Sequence, residues 1–182
     1  MARGKETRRR DAQQTKGRIL GVAFELFAEH GYARTGTRDI AAAAGVAPSL
    51  IARHFGSKAS LFEATLVYGI EEHSLFVDDK QDFGQRMAKL VVSRSNPKLP
   101  TMIILATADP QSAEIAQRVT RDHILKPLAK WLGPPQANAR ALNMLTLLNG
   151  FTIQSRRLTT GRVPPGSVRW FAQALQDIVD NK

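Results

Sequence analysis

The stretch GVAPSLIARHFGSK, residues 45–58, decides the fold because it ends one helical pattern and starts another almost at once. Gly45 can take the positive φ that a sharp turn between two helices requires. Pro48 fits the first turn of the next helix, where its missing N–H is not needed. Ile51 and Phe55 give that helix a buried side of only about two turns. The pattern predicts a helix-turn-helix.

The other side of this short helix is free, polar and basic. A helix of two turns gains little from its own hydrogen bonds and is held by packing. Folding does not require such a face to be exposed to solvent. Binding in the DNA major groove does require an exposed helical face. A helical hairpin inside a bundle is the alternative. The free positions are Pro48, Ser49, Leu50, Ala52, Arg53 and His54.

Apolar residues recur at helical spacing along nearly the whole chain. The first helix contains Ile19 to His30 and stops at Gly31, and a second runs from Thr37 to Ala44. No strand pattern or internal repeat competes with this reading, so the predicted fold is all-α, with an N-terminal three-helix domain and a helical bundle behind it. Further helices are predicted from Lys58 onward and over residues 82–94, 99–108, 112–132, 137–158 and 167–179.

Positive charge is concentrated near the N terminus. The chain has 26 Lys and Arg against 16 Asp and Glu, a formal net charge of +10. Residues 1–58 hold 11 of these basic residues and 5 of the acidic ones. Such an excess favours nucleic acid or an anionic membrane surface as a partner. We expect residues 1–14 to form a disordered basic arm that contacts DNA phosphates.

Several classes of function lack the residues they need. Without cysteine, disulfides and thiolate chemistry are excluded, and no apolar run reaches the roughly 18 residues that span a bilayer. There is no glycine-rich phosphate loop, nucleophile elbow or metal-ligand spacing, and the arm lacks the apolar face of a membrane-surface helix. We expect a cytoplasmic, non-enzymatic protein without cofactor or metal. The four histidines are far apart in sequence: His30, His54, His73 and His123.

Three motifs follow one another within residues 15–68: AxxLFxxxGY, TRDIAxxAGV and HFxSKxxLF. In this order and spacing they resemble the DNA-binding domain of the tetracycline-repressor (TetR) family of bacterial transcription regulators. The remaining residues match that family's ligand-binding and dimerisation domain in length and helical class. The resemblance implies a DNA-binding domain over residues 15–60 and an effector-binding and dimerisation domain over residues 61–182.

The resemblance also implies which residues contact DNA. Thr37 would bond a phosphate through its hydroxyl and the helix N terminus, with a simple N-cap as the alternative. Arg38 would touch a phosphate or a base, and Lys58 would bind a phosphate. Arg53 would make a bidentate contact with guanine. Four further residues complete the recognition face: Pro48, Ser49, Leu50 and His54. For His54, a capping or packing role is the alternative.

Two departures from the family limit what can be carried over. The family often has an aromatic residue at the position of Ala52 and glycine at the position of Ser49. Losing the aromatic removes a usual phosphate or thymine-methyl contact. The DNA sequence preference therefore cannot be taken from relatives.

The last two helices carry apolar stripes that suit a dimer interface. Residues 137–158 are apolar on two sides, and residues 167–179 have one clear stripe. Pattern and resemblance agree on a four-helix interface with a second copy, and an ordinary monomer core is the alternative. The predicted interface residues are Leu142, Leu145, Phe171, Leu175 and Ile178.

A ligand cavity is expected among residues 82–132, closed by the helix after Ala137. Apolar walls with a few polar groups suit a small apolar or amphipathic effector. Each candidate residue also fits plain core or solvated surface. The candidates are Leu90, Met102, Leu105, His123, Met144 and Asn149.

These features predict a homodimeric transcriptional regulator that binds a pseudo-palindromic operator in double-stranded DNA. We expect a repressor that a small-molecule effector releases by moving the helix that begins at Lys58. The alternative is a non-regulatory DNA-binding protein, architectural or division-linked, on the same fold. Release of DNA by a small molecule would distinguish the two.

Overall fold

The computed structural model describes residues 2–72, 79–93 and 98–181. Every regular element in these ranges is helical, which confirms the all-α prediction. Residues 120–125 and 154–158 form two short π-helical segments between α-helices. The α-helices are α1 (Ala2–Arg34), α2 (Thr37–Ala43), α3 (Pro48–Phe55), α4 (Lys58–Glu72), α5 (Phe83–Val92), α6 (Lys98–Ala106), α7 (Pro110–Val119), α8 (Lys126–Leu132), α9 (Ala137–Ile153) and α10 (Pro165–Asp180).

The chain divides into two compact units. The N-terminal unit contains residues up to 72 together with 102–117, and the C-terminal unit contains 73–101 together with 118–182. No helix in the described ranges has both the length and the apolar character needed to cross a membrane.

Aromatic packing holds α1 and α4 together in the N-terminal unit. The ring centroids of Phe27 and Phe62 lie 5.0 Å apart in an edge-to-face arrangement, and both side chains are fully buried. Leu66 and Ile40 are also inaccessible to solvent. Burying a side chain of this size contributes about 1.5–3 kcal/mol, so this core fixes α4 as the support of the two shorter helices.

In the C-terminal unit, α5 and α10 lie in close contact at Gly84. A Cβ atom at this position would lie 1.9 Å from the carbonyl oxygen of Ala172, so only glycine permits the approach. The Gly84 N–H donates to Oε1 of Gln176 at 3.1 Å. Phe171 and Leu175 of α10 are fully buried in the core of this unit.

The first π-helical segment interrupts the predicted helix over residues 112–132. It covers residues 120–125 and ends just before Pro127. Because proline has no N–H and its ring crowds the carbonyl four residues back, a regular α-helix cannot pass through it unchanged. A π-helical turn is a common way to absorb such an interruption.

The N terminus differs from the sequence prediction. Helix α1 begins at Ala2, so the segment expected to be a disordered arm continues the first helix. Arginine, lysine, glutamine, glutamate and alanine all have good helix propensity, and no proline interrupts residues 2–30. The helical geometry breaks at Gly31 (φ +76°), where the sequence predicted the end of this helix. The expected contact between this segment and DNA stays a prediction.

The division between the units also differs from the predicted boundary after residue 60. That boundary falls inside α4, whose buried Leu61, Phe62 and Leu66 belong to the N-terminal core. Residues 102–117 join the same unit, a grouping that no local pattern in the sequence indicated.

Candidate nucleic-acid interface

The turn between α2 and α3 has the geometry that the sequence predicted. Gly45 adopts φ +61° and follows Ala44, the C-cap of α2. The Val46 N–H donates to the Ala41 carbonyl at 3.0 Å, and the Gly45 N–H donates to the Ala42 carbonyl at 3.1 Å. These two bonds form a Schellman motif, which satisfies the last carbonyls of α2 and turns the chain sharply.

Helix α3 is buried on one side only. Ile51 is 3% exposed and Phe55 is 9% exposed, whereas Ser49 and Arg53 are exposed. Two inward residues are enough to seat a helix of eight residues against the unit. The outward side is therefore available for a partner. Among the residues predicted to face DNA on this side, Pro48, Ser49 and Arg53 are exposed, and Leu50 and His54 are half-buried.

The start of α2 corrects one detail of the sequence prediction. Gly36, not Thr37, is the N-cap residue, and the Gly36 N–H donates to Oδ2 of Asp39 at 3.2 Å. Thr37 is the first residue of the helix and is half-buried, while Arg38 next to it is exposed. The N-cap role that the sequence left open for Thr37 is thus filled by its neighbour.

Lys58 is held by an aromatic ring. Its Nζ lies 4.3 Å from the centroid of the Tyr32 ring, a distance at which the ring face attracts a cation. Tyr32 in turn donates from its hydroxyl to Oε1 of Gln111 at 2.6 Å. Burial, and secondly the charge of Asp109, raise the pKa of Tyr32, so the phenol stays protonated and able to donate.

Sequence reasoning did not find Gln111 or the role of Tyr32. Tyr32 stands in the GY motif, but Gln111 lies 79 residues further along the chain. A second cation, Lys16, has its Nζ 5.8 Å from the centroid of the Phe55 ring. Basic side chains from α1 and α4 therefore lie beside aromatic residues of the helix-turn-helix region.

Comparison with known families covers most of the chain. Residues 19–65 match the model described as "Bacterial regulatory proteins, tetR family". Residues 81–179, more than half of the chain, match "Tetracyclin repressor-like, C-terminal domain". The chain belongs to the TetR family. The first of these matches spans the helix-turn-helix formed by α2 and α3.

The curated relatives match this chain over a minor part of its length and of their own. This TetR-family chain is 46% identical over 54 residues to an HTH-type transcriptional repressor of Mycobacterium tuberculosis. The match covers 30% of this chain and 29% of that relative. It is 43% identical over 54 residues to the regulator AcrR of Shigella flexneri, covering 30% of this chain and 25% of the relative.

A solved structure shares the fold over nearly the full length. A TetR-family regulator from Rhodococcus sp. superposes with a TM-score of 0.71 at 17% identity, covering 93% of this chain and 98% of that chain. This likeness extends the shared fold from the helix-turn-helix into the C-terminal helices.

The C-terminal unit does not place all predicted dimer residues on the surface. Phe171 and Leu175 are 0% exposed and Leu145 is 8% exposed, because they pack against helices of the same chain. Phe171 stacks on Phe151 with centroids 4.0 Å apart. These three residues form core within one chain. Leu142 is 55% exposed and Ile178 is half-buried, so both remain available to a partner.

The six predicted effector residues do not share an environment. Met102 and Met144 are buried and Leu90 is 42% exposed; Leu105 and Asn149 are half-buried, and His123 is exposed. Three cavities in the C-terminal unit are lined by other residues. A spacing pattern identifies apolar positions but does not separate cavity walls from core.

Proposed function

We propose that this TetR-family chain is a homodimeric repressor that binds a pseudo-palindromic operator and is released by a small-molecule effector. One observation carries the DNA-binding part: a helix of eight residues is buried through Ile51 and Phe55 and leaves Ser49 and Arg53 exposed. A short helix with a free polar face has the dimensions of a major-groove reader.

The residues on this face divide by the chemistry they offer. Arg53 is the best candidate for reading a base, because its guanidinium can bond both acceptors of a guanine. Pro48, Ser49, Leu50 and His54 would line the groove beside it. Phosphate contacts fall to Thr37 and Lys58, which position the helix without reading sequence. Arg38 would touch a phosphate or a base.

A second copy would cover the outward faces of α9 and α10. Trp170 is 59% exposed, and Ala174 and Ile178 follow it at helical spacing and are half-buried. On α9, Leu142, Thr146 and Gly150 form an exposed row with the same spacing. The α10 row is apolar, and the α9 row carries small side chains beside Leu142. Such rows on neighbouring helices suit a four-helix contact between copies.

An effector would act from the C-terminal unit, and the protein would work in the cytoplasm without catalysing a reaction. A structural neighbour from Saccharomonospora viridis, with a TM-score of 0.57 at 19% identity and covering 93% of this chain and 97% of that chain, is a regulator in complex with choline. That complex supports a small-molecule ligand for this chain.

The test is selection of bound sequences from random DNA, followed by a search for compounds that release the selected site. The proposal expects two inverted half-sites and one dimer per site. Because coupling between two ligands is reciprocal, a releasing compound must bind the operator-bound protein more weakly by the same factor. Recovery of unrelated sequences, with no compound that shifts binding, would favour the non-regulatory alternative.

A further inference from the structure

A cavity of about 770 Å³ lies at the N-terminal end of α10. Its walls come from the end of α5, the π-helical segment after α9, the loop before α10 and the first turns of α10. This volume is within the range of about 300–1,000 Å³ that small-molecule sites occupy. None of the residues that the sequence predicted for an effector lines it.

Three arginines line this cavity: Arg156, Arg162 and Arg169. Among the described residues that line it, none is Asp or Glu. The sequence explains this imbalance, since no acidic residue occurs between Asp122 and Asp177. The cavity is therefore a positively charged recess in which no lining side chain of the protomer supplies a counter-charge.

Arg156 is the fixed member of this group. Its Nε donates to the carbonyl oxygen of Val91 at 2.8 Å, which anchors the side chain to the end of α5. Its Nη2 is shielded from solvent and has no hydrogen-bond partner within the described residues. A half-buried guanidinium without a carboxylate in the cavity wall is costly, and an anion in the cavity would compensate its positive charge.

The remaining walls are largely aliphatic, with Val92, Val163 and Val168 among them. Guanidinium groups bind carboxylates through two parallel hydrogen bonds, and the valines offer an apolar surface beside them. We propose that this cavity binds a small amphipathic carboxylic acid, with the carboxylate at the arginines and the hydrocarbon against the valines. The role of this acid as the effector rests on the proposed function, but its binding to the cavity can be measured without DNA.

Calorimetric titration of the whole chain with octanoate tests the site, with 1-octanol and inorganic phosphate as comparison probes. Octanoate should bind more tightly than either, because only it carries both groups. Arg162→Gln and Arg169→Gln should each weaken octanoate binding about tenfold or more. Lys130→Gln removes the same charge from an exposed residue outside the cavity and should leave binding unchanged.

Arg156→Gln should also abolish tight binding, but it breaks the bond to Val91 and can unfold the unit. If Arg156→Gln unfolds the unit, the substitutions at the exposed Arg162 and Arg169 still test the site. An equal loss with Lys130→Gln, phosphate binding as tight as octanoate, or no octanoate binding would overturn the site. Dissociation of a dimer by octanoate would also overturn it, since a second copy would then be the occupant.

Operator affinity measured with and without octanoate separates this site from the proposed function. Arginine-dependent octanoate binding that weakens DNA binding supports both. Arginine-dependent octanoate binding with unchanged operator affinity supports the site and contradicts release of DNA through it.

Discussion

The ammonium of Lys58 lies 4.3 Å from the centroid of the Tyr32 ring, although the two residues are on different helices. The ring is buried at 6% exposure and its hydroxyl is bonded to Gln111. A lysine that rests on a fixed ring loses less conformational freedom when it binds a phosphate. Under the proposed function, this contact would preorganise Lys58 at the N-terminal end of α4 for a DNA phosphate.

Lys58→Ala should weaken binding to all DNA sequences by about the same factor, because phosphates look alike under any base. The slope of log K against log salt should fall by about 0.9 for each phosphate that the lysine no longer neutralises. Fluorescence anisotropy with specific and random duplexes at several salt concentrations measures both. Lys130→Ala is the control, and a slope unchanged from wild type would mean that Lys58 does not contact DNA.

Arg53→Ala should cost about 1–3 kcal/mol on the selected operator and relax selectivity at one base pair per half-site. Half-site duplexes should be used, because on a full palindrome both subunits of a dimer carry the substitution and the loss of binding free energy is doubled. The measured quantity is the ratio of specific to non-specific affinity. If this ratio survives the substitution, Arg53 binds only phosphate, and base reading falls to Arg38, Ser49 or His54.

Deleting residues 2–10 should lower affinity for every sequence and reduce the salt dependence, because it removes Arg3, Lys5, Arg8, Arg9 and Arg10. The same salt titration measures the effect. A variant with glutamine at these five positions keeps the length and helix propensity and should behave like the deletion. Wild-type salt dependence in both variants would show that this segment does not reach the DNA.

Trp170→Asp and Leu175→Asp should separate the dimer surface from the protomer core. Trp170 is 59% exposed and Leu175 is 0% exposed, so the first change should give folded monomers. The second should unfold the C-terminal unit, at a cost on the order of 4 kcal/mol or more. Sedimentation and circular dichroism distinguish these outcomes. If the Trp170→Asp variant remains dimeric, the dimer interface lies on another face.

Arg140→Met should destabilise the C-terminal unit by about 3 kcal/mol or more. The guanidinium of Arg140 is buried and donates to the carbonyls of Ile178 and Val179 at 2.9 Å each, and to Gly133 and Pro135 at 3.0 and 3.2 Å. Without it, the carbonyls at the end of α10 and in the loop between α8 and α9 lose their charged donor. Urea unfolding measures the change, and Lys130→Met should lie within about 0.5 kcal/mol of wild type.

The local sequence determined the helix-turn-helix because its signals act over a few residues. Gly45 sets the turn, Pro48 opens α3, and Ile51 with Phe55 defines the buried side. Each follows from backbone geometry and a helical repeat of 3.6 residues. The helices over residues 137–158 and 167–179 were predicted on the same grounds, to within a few residues of their ends.

Tertiary structure alone decided what those apolar stripes pack against. A stripe that contains Phe171 and Leu175 has the same pattern whether its own chain or a second copy buries it. The hydrophobic effect depends on the apolar area removed from water and not on which chain covers that area. Likewise, Tyr32 and Gln111, or Val91 and Arg156, are brought together only by folding, because their contacts join segments 79 and 65 residues apart. Local periodicity carries no information about such pairs, so the ring under Lys58 and the arginine-lined cavity emerge only when the helices are packed.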